Sequence, residues 1–200
     1  FSIKALQQAS YLTIELQTVY RQQDERFVAL LNQIRENKAS DETLAALNQR
    51  YIPDFQPPKG GDYIRLTTHN VPAQHINEQE LSNLPSQVYS FTAEVEGNFP
   101  ETSYPADFKL LLKKGAQIMF IKNDADHRFY NGMIGEVTAI DNQEIRVMGK
   151  DNGEEFILEK AEWSNSKYTL NEQTQEIEET VEGTFRQYPV RLAWAITIHK

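Results

Sequence analysis

The sequence predicts an α/β chain interrupted by a small all-β barrel. Three observations predict it: an amphipathic helix near the start, short β-branched and aromatic runs after Pro85, and a continuous apolar segment, LAWAITI, near the end. The first and last parts read alike, as helices and buried strands, with the barrel between them as an insertion. At 200 residues with 40% hydrophobic content, the chain suffices for one sizeable core, or for a domain carrying a smaller inserted one.

From Asp24 to Asn37, DERFVALLNQIREN spaces Phe27, Leu30, Leu31 and Ile34 at helical intervals behind an Asp able to cap the first turn. A second, short helix is predicted from Asp41 to Arg50, after which PDFQPPKGGD breaks the pattern into a loop. DYIRLTTHN reads as a strand. It leads at once into VPAQHINEQELSNL, a helix with Pro72 in its first turn and Ala73, Ile76, Leu81 and Leu84 at helical spacing. VYSFTAEVEG, AQIMFIKND, MIGEVTAID, EIRVMG and EEFILEKAEW follow as five short strands, with turns at Asn131-Gly132, Asp141-Asn142 and Asp151-Asn152-Gly153. LAWAITI has the unbroken apolar character of a strand buried on both faces, as in a parallel sheet.

The balance of 29 acidic against 20 basic residues, a net charge of −9, disfavours phosphate binding on its face. Distribution matters more than the sum. Thr169 to Gly183 holds five glutamates (Glu172, Glu176, Glu178, Glu179, Glu182) and no basic residue, whereas Lys109, Lys113, Lys114, Lys122 and Arg128 gather around one central segment. A groove can be positive on a negative protein. The absence of cysteine excludes disulfides and thiolate metal sites. With no run of eighteen apolar residues and no basic-then-apolar leader, the expectation is a cytoplasmic protein with no membrane partner.

Three stretches could carry chemistry. TTHN, residues 67 to 70, joins a strand to a helix, where backbone N–H groups, the Thr67 and Thr68 hydroxyls and the Asn70 amide could meet a phosphate; equally, Asn70 could be an N-cap and the threonines a strand end. Arg21, just before the first helix, could reach a phosphoryl oxygen across a cleft or be an ordinary solvated cation. NDADHRFYNGMIG sets His127, Arg128, Phe129 and Tyr130 before an Asn-Gly turn, suiting either a single-strand-binding surface or a hairpin whose aromatics enter the barrel core. Asp124, Asp126 and His127 supply too few ligands for an oxygen-based metal site, so no metal is expected there. No GxxxxGK[ST] occurs, GMIGEV is too short for a phosphate loop, and no Ser/His/Asp set stands out.

In order, ELQTVYRQQDERFVALLNQIREN, YIRLTTHNVPAQHINEQELSNL, LLLKKGAQIMFIKNDADHRFYNGMIGEV and GTFRQYPVRLAWAITIHK resemble successive segments of the PIF-type helicases, in the B branch of helicase superfamily one. The resemblance runs from about residue 14 onward and is most specific in GAQIMFIKND, NGMIGEV and LAWAITIHK. It implies the second of two RecA-like (P-loop NTPase-type) motor domains, carrying an inserted Src-homology-3-like β-barrel. The implied organisation is residues 1–86 as the first part of the motor domain, 87–187 as the barrel, and 188–200 as the return to the motor domain.

The resemblance further implies a parent that couples hydrolysis of ATP, with Mg²⁺, to 5′ to 3′ movement on single-stranded DNA and duplex unwinding in DNA repair or recombination. Arg21 matches the arginine that crosses to the γ-phosphate. Thr67, Thr68 and Asn70 match the segment that holds the DNA backbone, Thr197, His199 and Lys200 match the start of the next phosphate-gripping motif, and Lys122 and Asn123 fall near the strand. The family's phosphate-loop lysine and Asp-Glu pair lie in a first RecA-like domain, which this sequence lacks. The expectation is therefore a fragment cut within the TIHK motif, which alone binds no nucleotide and is inactive. The rival expectation is a non-catalytic protein-interaction or nucleic-acid-binding module that uses the barrel.

Overall fold

The computed structural model describes residues 10, 12–14, 22, 24–58, 63–170 and 176–198. The chain divides into two units, residues 1–59 and residues 60–200. The first contains α1 (Glu25–Arg35) and α2 (Asp41–Asn48). Asp24 caps α1 as its sequence predicts, its carboxylate accepting the Phe27 N–H at 3.0 Å. Ser40 caps α2 in a reciprocal box: its hydroxyl accepts the Thr43 N–H at 3.2 Å and its own N–H donates to the Thr43 hydroxyl at 3.3 Å. Buried Thr43 also bonds Gln33 of α1, tying the two helices together.

The second unit opens with β1 (Arg65–Thr67) and α3 (Asn70–Asn83). It continues through β2 (Val88–Thr92), β3 (Glu94–Gly97), β4 (Lys109–Lys113), β5 (Gln117–Phe120), β6 (Ile134–Ile140) and β7 (Ile145–Gly149). Then come β8 (Glu155–Ile157), β9 (Ala161–Leu170), β10 (Ile177–Gln187), β11 (Val190–Leu192) and β12 (Ala195–Thr197). The result is mixed α/β and rich in strands. Four sheets form: a parallel β1-β12 pair, an antiparallel β2-β4 pair, a three-stranded β3-β10-β9 sheet, and a five-stranded β11-β5-β6-β7-β8 sheet. The last is an open series with β11 and β8 at its edges, and no closed barrel is found among the described residues.

Several expected strands divide where the chain changes sheets. VYSFTAEVEG breaks at Ala93: β2 pairs with β4, while β3 pairs with β10. EEFILEKAEW becomes β8 in the five-stranded sheet and the start of β9 in the three-stranded one. LAWAITI likewise is not one strand, because Leu192 ends β11, antiparallel to β5, and Ala195 begins β12, parallel to β1. Each segment has strand composition throughout, so its apolar pattern carries no mark of the partner change. At the Asn131-Gly132 turn only Gly132 has a positive φ, 96°, and the Met133 N–H closes on the Tyr130 carbonyl at 3.0 Å, the geometry of a type II turn.

The main core lies on the five-stranded sheet and the β2-β4 pair. Alternation seats Leu110 and Leu112 of β4 and Ile145 and Val147 of β7 inward, joined by Ile118, Phe120, Val137 and Val190. Phe120 is fully buried and stacks on Phe129, with ring centroids 4.3 Å apart. A second, smaller core gathers Phe99, Tyr104 and Trp163 around fully buried Phe185. Buried amide side chains pin the joints between sheets. Gln187 donates to the carbonyls of Phe91 at 2.9 Å and Asp107 at 3.2 Å while accepting the Tyr188 N–H at 2.9 Å. An amide serves here because it is donor and acceptor at once.

Candidate functional site

The parallel β1-β12 pair puts two of the sequence-predicted residues side by side. Thr67 and Thr197 are register partners at the carboxyl ends of their strands, and the Ile198 N–H closes the pair on the Thr67 carbonyl at 3.0 Å. The carboxyl edge of parallel strands is where open α/β sheets place ligands. Just beyond it the chain bends through Thr68 and His69 into α3. The Thr67 hydroxyl donates to the His69 carbonyl at 2.9 Å, and the Thr68 hydroxyl lies 2.8 Å from His69 Nδ1.

Asn70 does not cap α3. It is the first helical residue, and His69, with extended backbone, occupies the cap position without a side-chain hydrogen bond. The α3 N-terminus is therefore left without the side-chain acceptor that Asp24 gives α1 and Ser40 gives α2. Thr68 and Asn70 are exposed beside it. A helix N-terminus without a side-chain cap, with its dipole and nearby hydroxyls, is an arrangement that can meet an anion, although Pro72 supplies no N–H to it.

Two amides that sequence reasoning overlooked hold this edge in place. Asn77 of α3 donates to the Ala195 carbonyl at 2.9 Å and the Leu192 carbonyl at 3.3 Å, and accepts the Ala195 N–H at 2.8 Å. Gln117 of β5 donates to the Ala193 carbonyl at 2.9 Å and the Tyr63 carbonyl at 3.4 Å. Asn77 was detectable, since it sits midway between buried Ala73 and Leu81 on one i, i+4 stripe, where an apolar residue is the rule. A polar group there needs a partner.

The other candidates fall elsewhere. Lys122 lies after β5, where its ammonium donates to the Glu162 carbonyl of β9 and sits 5.0 Å from the Trp163 ring centroid. Asn123 is exposed, and its Oδ1 accepts the Asn131 N–H at 2.8 Å, bracing the following loop. These contacts join the two residues to β9 and the β5-β6 connection and do not bring them to the β1-β12 edge. Arg21, His199 and Lys200 lie outside the described residues.

In the β5-β6 hairpin, Phe129 is buried between Phe120 and Phe156, so this ring belongs to the core. Tyr130 remains exposed and hydrogen-bonds Asp151. Arg128 grips Asp124 with Nε and Nη2, both at 2.8 Å, and Asp126 lies 3.7 Å away. These hydrogen bonds hold the Asp124 carboxyl below the usual carboxylate range, outweighing the opposing effect of burial.

No family model matches the chain. It is similar to the ATP-dependent DNA helicase PIF1 of Rattus norvegicus, at 31% identity over the whole chain and 31% of that protein. It is also similar to the ATP-dependent DNA helicase Pif1 of Bdellovibrio bacteriovorus, at 28% identity over 96% of the chain and 42% of that protein. Among solved structures, Pif1 from a Bacteroides species in complex with ADP-AlF4 matches with a TM-score of 0.81 and 34% identity over 91% of this chain and 41% of that one. The chain is a partial Pif1-type domain. Bacteroides Pif1 bound to single-stranded DNA matches this Pif1-type domain with a TM-score of 0.65 at 35% identity, over 93% of this chain and 42% of that one. The domain spans less than half the length of the relatives named.

Proposed function

We propose that this Pif1-type domain is the second motor domain of an ATP-dependent DNA helicase, and that it grips the backbone of single-stranded DNA at the carboxyl edge of β1 and β12. The observation that carries the reading is the register pairing of Thr67 with Thr197 beside an α3 N-terminus that lacks a side-chain cap. Hydroxyl and backbone N–H donors recognise phosphate without regard to base, as a translocating motor requires. Asn70, His199 and Lys200 extend this grip in our reading, with Lys122 and Asn123 as more distant contacts. Structures of related Bacteroides Pif1 with bound single-stranded DNA support the choice of ligand.

In the same reading, residues 1–86 and 188–200 are motor domain, and 87–187 are an inserted domain related to Src-homology-3 barrels. The sequence has no phosphate loop, so the described residues do not fit a nucleotide site of their own, and ATP and Mg²⁺ belong to a first RecA-like domain. Arg21 reaches across to the γ-phosphate, where its fixed charge stabilises the transition state. Translocation runs 5′ to 3′.

The test uses the full-length parent. Replacing Thr67 and Thr197 together by Ala is expected to weaken single-stranded DNA binding roughly tenfold, the Thr67 hydroxyl having to exchange the His69 carbonyl for a phosphate oxygen on binding. Arg21→Ala is expected to spare binding and lower DNA-stimulated ATP hydrolysis by roughly a thousandfold. Unchanged affinity in the first variant would sink the DNA grip, and equal hydrolysis in the second would sink the role of Arg21. Unwinding of duplexes with 5′ or 3′ tails tests the direction.

A further inference from the structure

The β9-β10 hairpin runs past the sheet that supports it. β3 accompanies β10 only from Gly183 to Arg186, so beyond that point Ser166 to Leu170 and Ile177 to Val181 form a two-stranded ribbon. Register pairs Leu170 with Ile177, Tyr168 with Glu179 and Ser166 with Val181. Strand alternation puts these residues on the face opposite Trp163 and Phe185, away from the smaller core. That face carries an apolar strip, with Leu170, Ile177, Tyr168 and Val181 exposed by 57%, 73%, 64% and 53%.

The charges around the strip narrow what can cover it. By the same alternation Glu179 shares the strip's face, Glu178 and Lys167 lie on the opposite face, and Glu176 and Glu182 flank the two ends of the 177–181 segment. Nucleic-acid phosphates and anionic lipid headgroups carry the same sign and are repelled, and a second copy would set glutamates against glutamates. The complementary surface is cationic and apolar together. We propose that this ribbon face docks a basic segment of a partner protein, in which Lys or Arg alternates with aliphatic side chains. The aliphatics would cover the Leu170/Ile177/Tyr168/Val181 strip and the cations would meet Glu179 on that face and Glu176 and Glu182 at its ends.

The test mixes the full chain with a fluorescent 14-residue peptide alternating lysine and valine, its glutamate-for-lysine counterpart, and a single-stranded oligonucleotide. The lysine peptide is expected to bind more tightly as salt falls, and the glutamate peptide not to bind. Leu170→Ser with Ile177→Ser, and separately Glu179→Lys with Glu182→Lys, are each expected to weaken the lysine peptide about tenfold. All four residues are exposed, so the fold tolerates both pairs. Oligonucleotide affinity is expected to be unchanged by the serine pair. The proposal is overturned if the serine pair leaves peptide affinity intact, if it abolishes oligonucleotide binding, or if sedimentation shows self-association that it removes. A negative result here leaves the β1-β12 edge untouched as a DNA site.

Discussion

Replacing Asn77 by Ala deletes three hydrogen bonds at the point where the chain passes from one sheet to another. The lost contacts are 2.9 and 3.3 Å donations to the Ala195 and Leu192 carbonyls and a 2.8 Å acceptance from the Ala195 N–H. Ala195 is 1% exposed, so water does not readily replace the amide there. Each neutral hydrogen bond contributes about 1 kcal/mol net, and a buried group left unpaired costs about 1–3 kcal/mol. Asn77 is itself half-buried, so a total of roughly 2–4 kcal/mol is expected, equivalent to a fall in Tm of about 6–12 °C. Urea and thermal unfolding of the full chain measure it, with Gln74→Ala as the control. Gln74 is exposed on the same helix and bonds Glu78, so its loss should cost less than about 0.5 kcal/mol. Asn77→Asp should be at least as damaging as Ala, because it turns a carboxylate oxygen toward two carbonyls. If Asn77→Ala matched the Gln74 control, the amide would not be what holds the corner.

The Asp124 carboxyl titrates below its ordinary value because Arg128 hydrogen-bonds it, so the stability it contributes is complete above about pH 4 and is lost as pH falls through the lowered folded value. Asp124→Asn should therefore destabilise the protein at pH 7 by about 1.5–3 kcal/mol and flatten its acid limb, which unfolding midpoints from pH 7 to pH 2 would register. Phe129→Ala should cost about 3–5 kcal/mol and Tyr130→Ala far less, the reverse of what a base-stacking platform at Phe129 would give in a DNA-binding assay. Gly183→Ala places a Cβ about 2.6 Å from the Asn98 backbone where β3 meets β10, so roughly 1–3 kcal/mol should be lost, with a shift in hydrogen-exchange protection along β3.

Local signals in the sequence carried far. The Asp24 cap and the helices at the start rest on contacts within three or four residues, and all of them form. Strand composition also identified five β-rich stretches, but not β10 or β9 beyond Trp163, whose Glu-, Ser- and Thr-rich runs carry little apolar pattern. What failed was the assignment of partners: Ala93 in VYSFTAEVEG and Ala193-Trp194 in LAWAITI mark changes of sheet that no periodicity of two records. KLLLK was overlooked for a related reason, because its three successive leucines conceal the alternation by which Leu110 and Leu112 turn inward and Leu111 outward. At the candidate site, the Thr67/Thr197 pairing joins residues 130 positions apart along the chain, and only the β1-β12 register reveals it. The N-cap reading of Asn70, one of the two left open by TTHN, misses by one residue. The extended conformation needed at a cap falls on His69, whose ring is engaged by Thr68.

The corner at Ala193 and Trp194 sets how load would travel through this domain. Leu192 ends a strand of the five-stranded sheet and Ala195 begins the one that carries Thr197, and the Asn77 amide bonds both Leu192 and Ala195. Gln117 holds Ala193 between them from β5. In the proposed grip, a pull on DNA at Thr197 would thus reach the β-rich region through a few clamped residues, as through a riveted bracket, with little slack to absorb it. Loosening the rivets at Asn77 or Gln117 would leave every donor facing the ligand in place while uncoupling movement at that edge from movement of the sheet behind it.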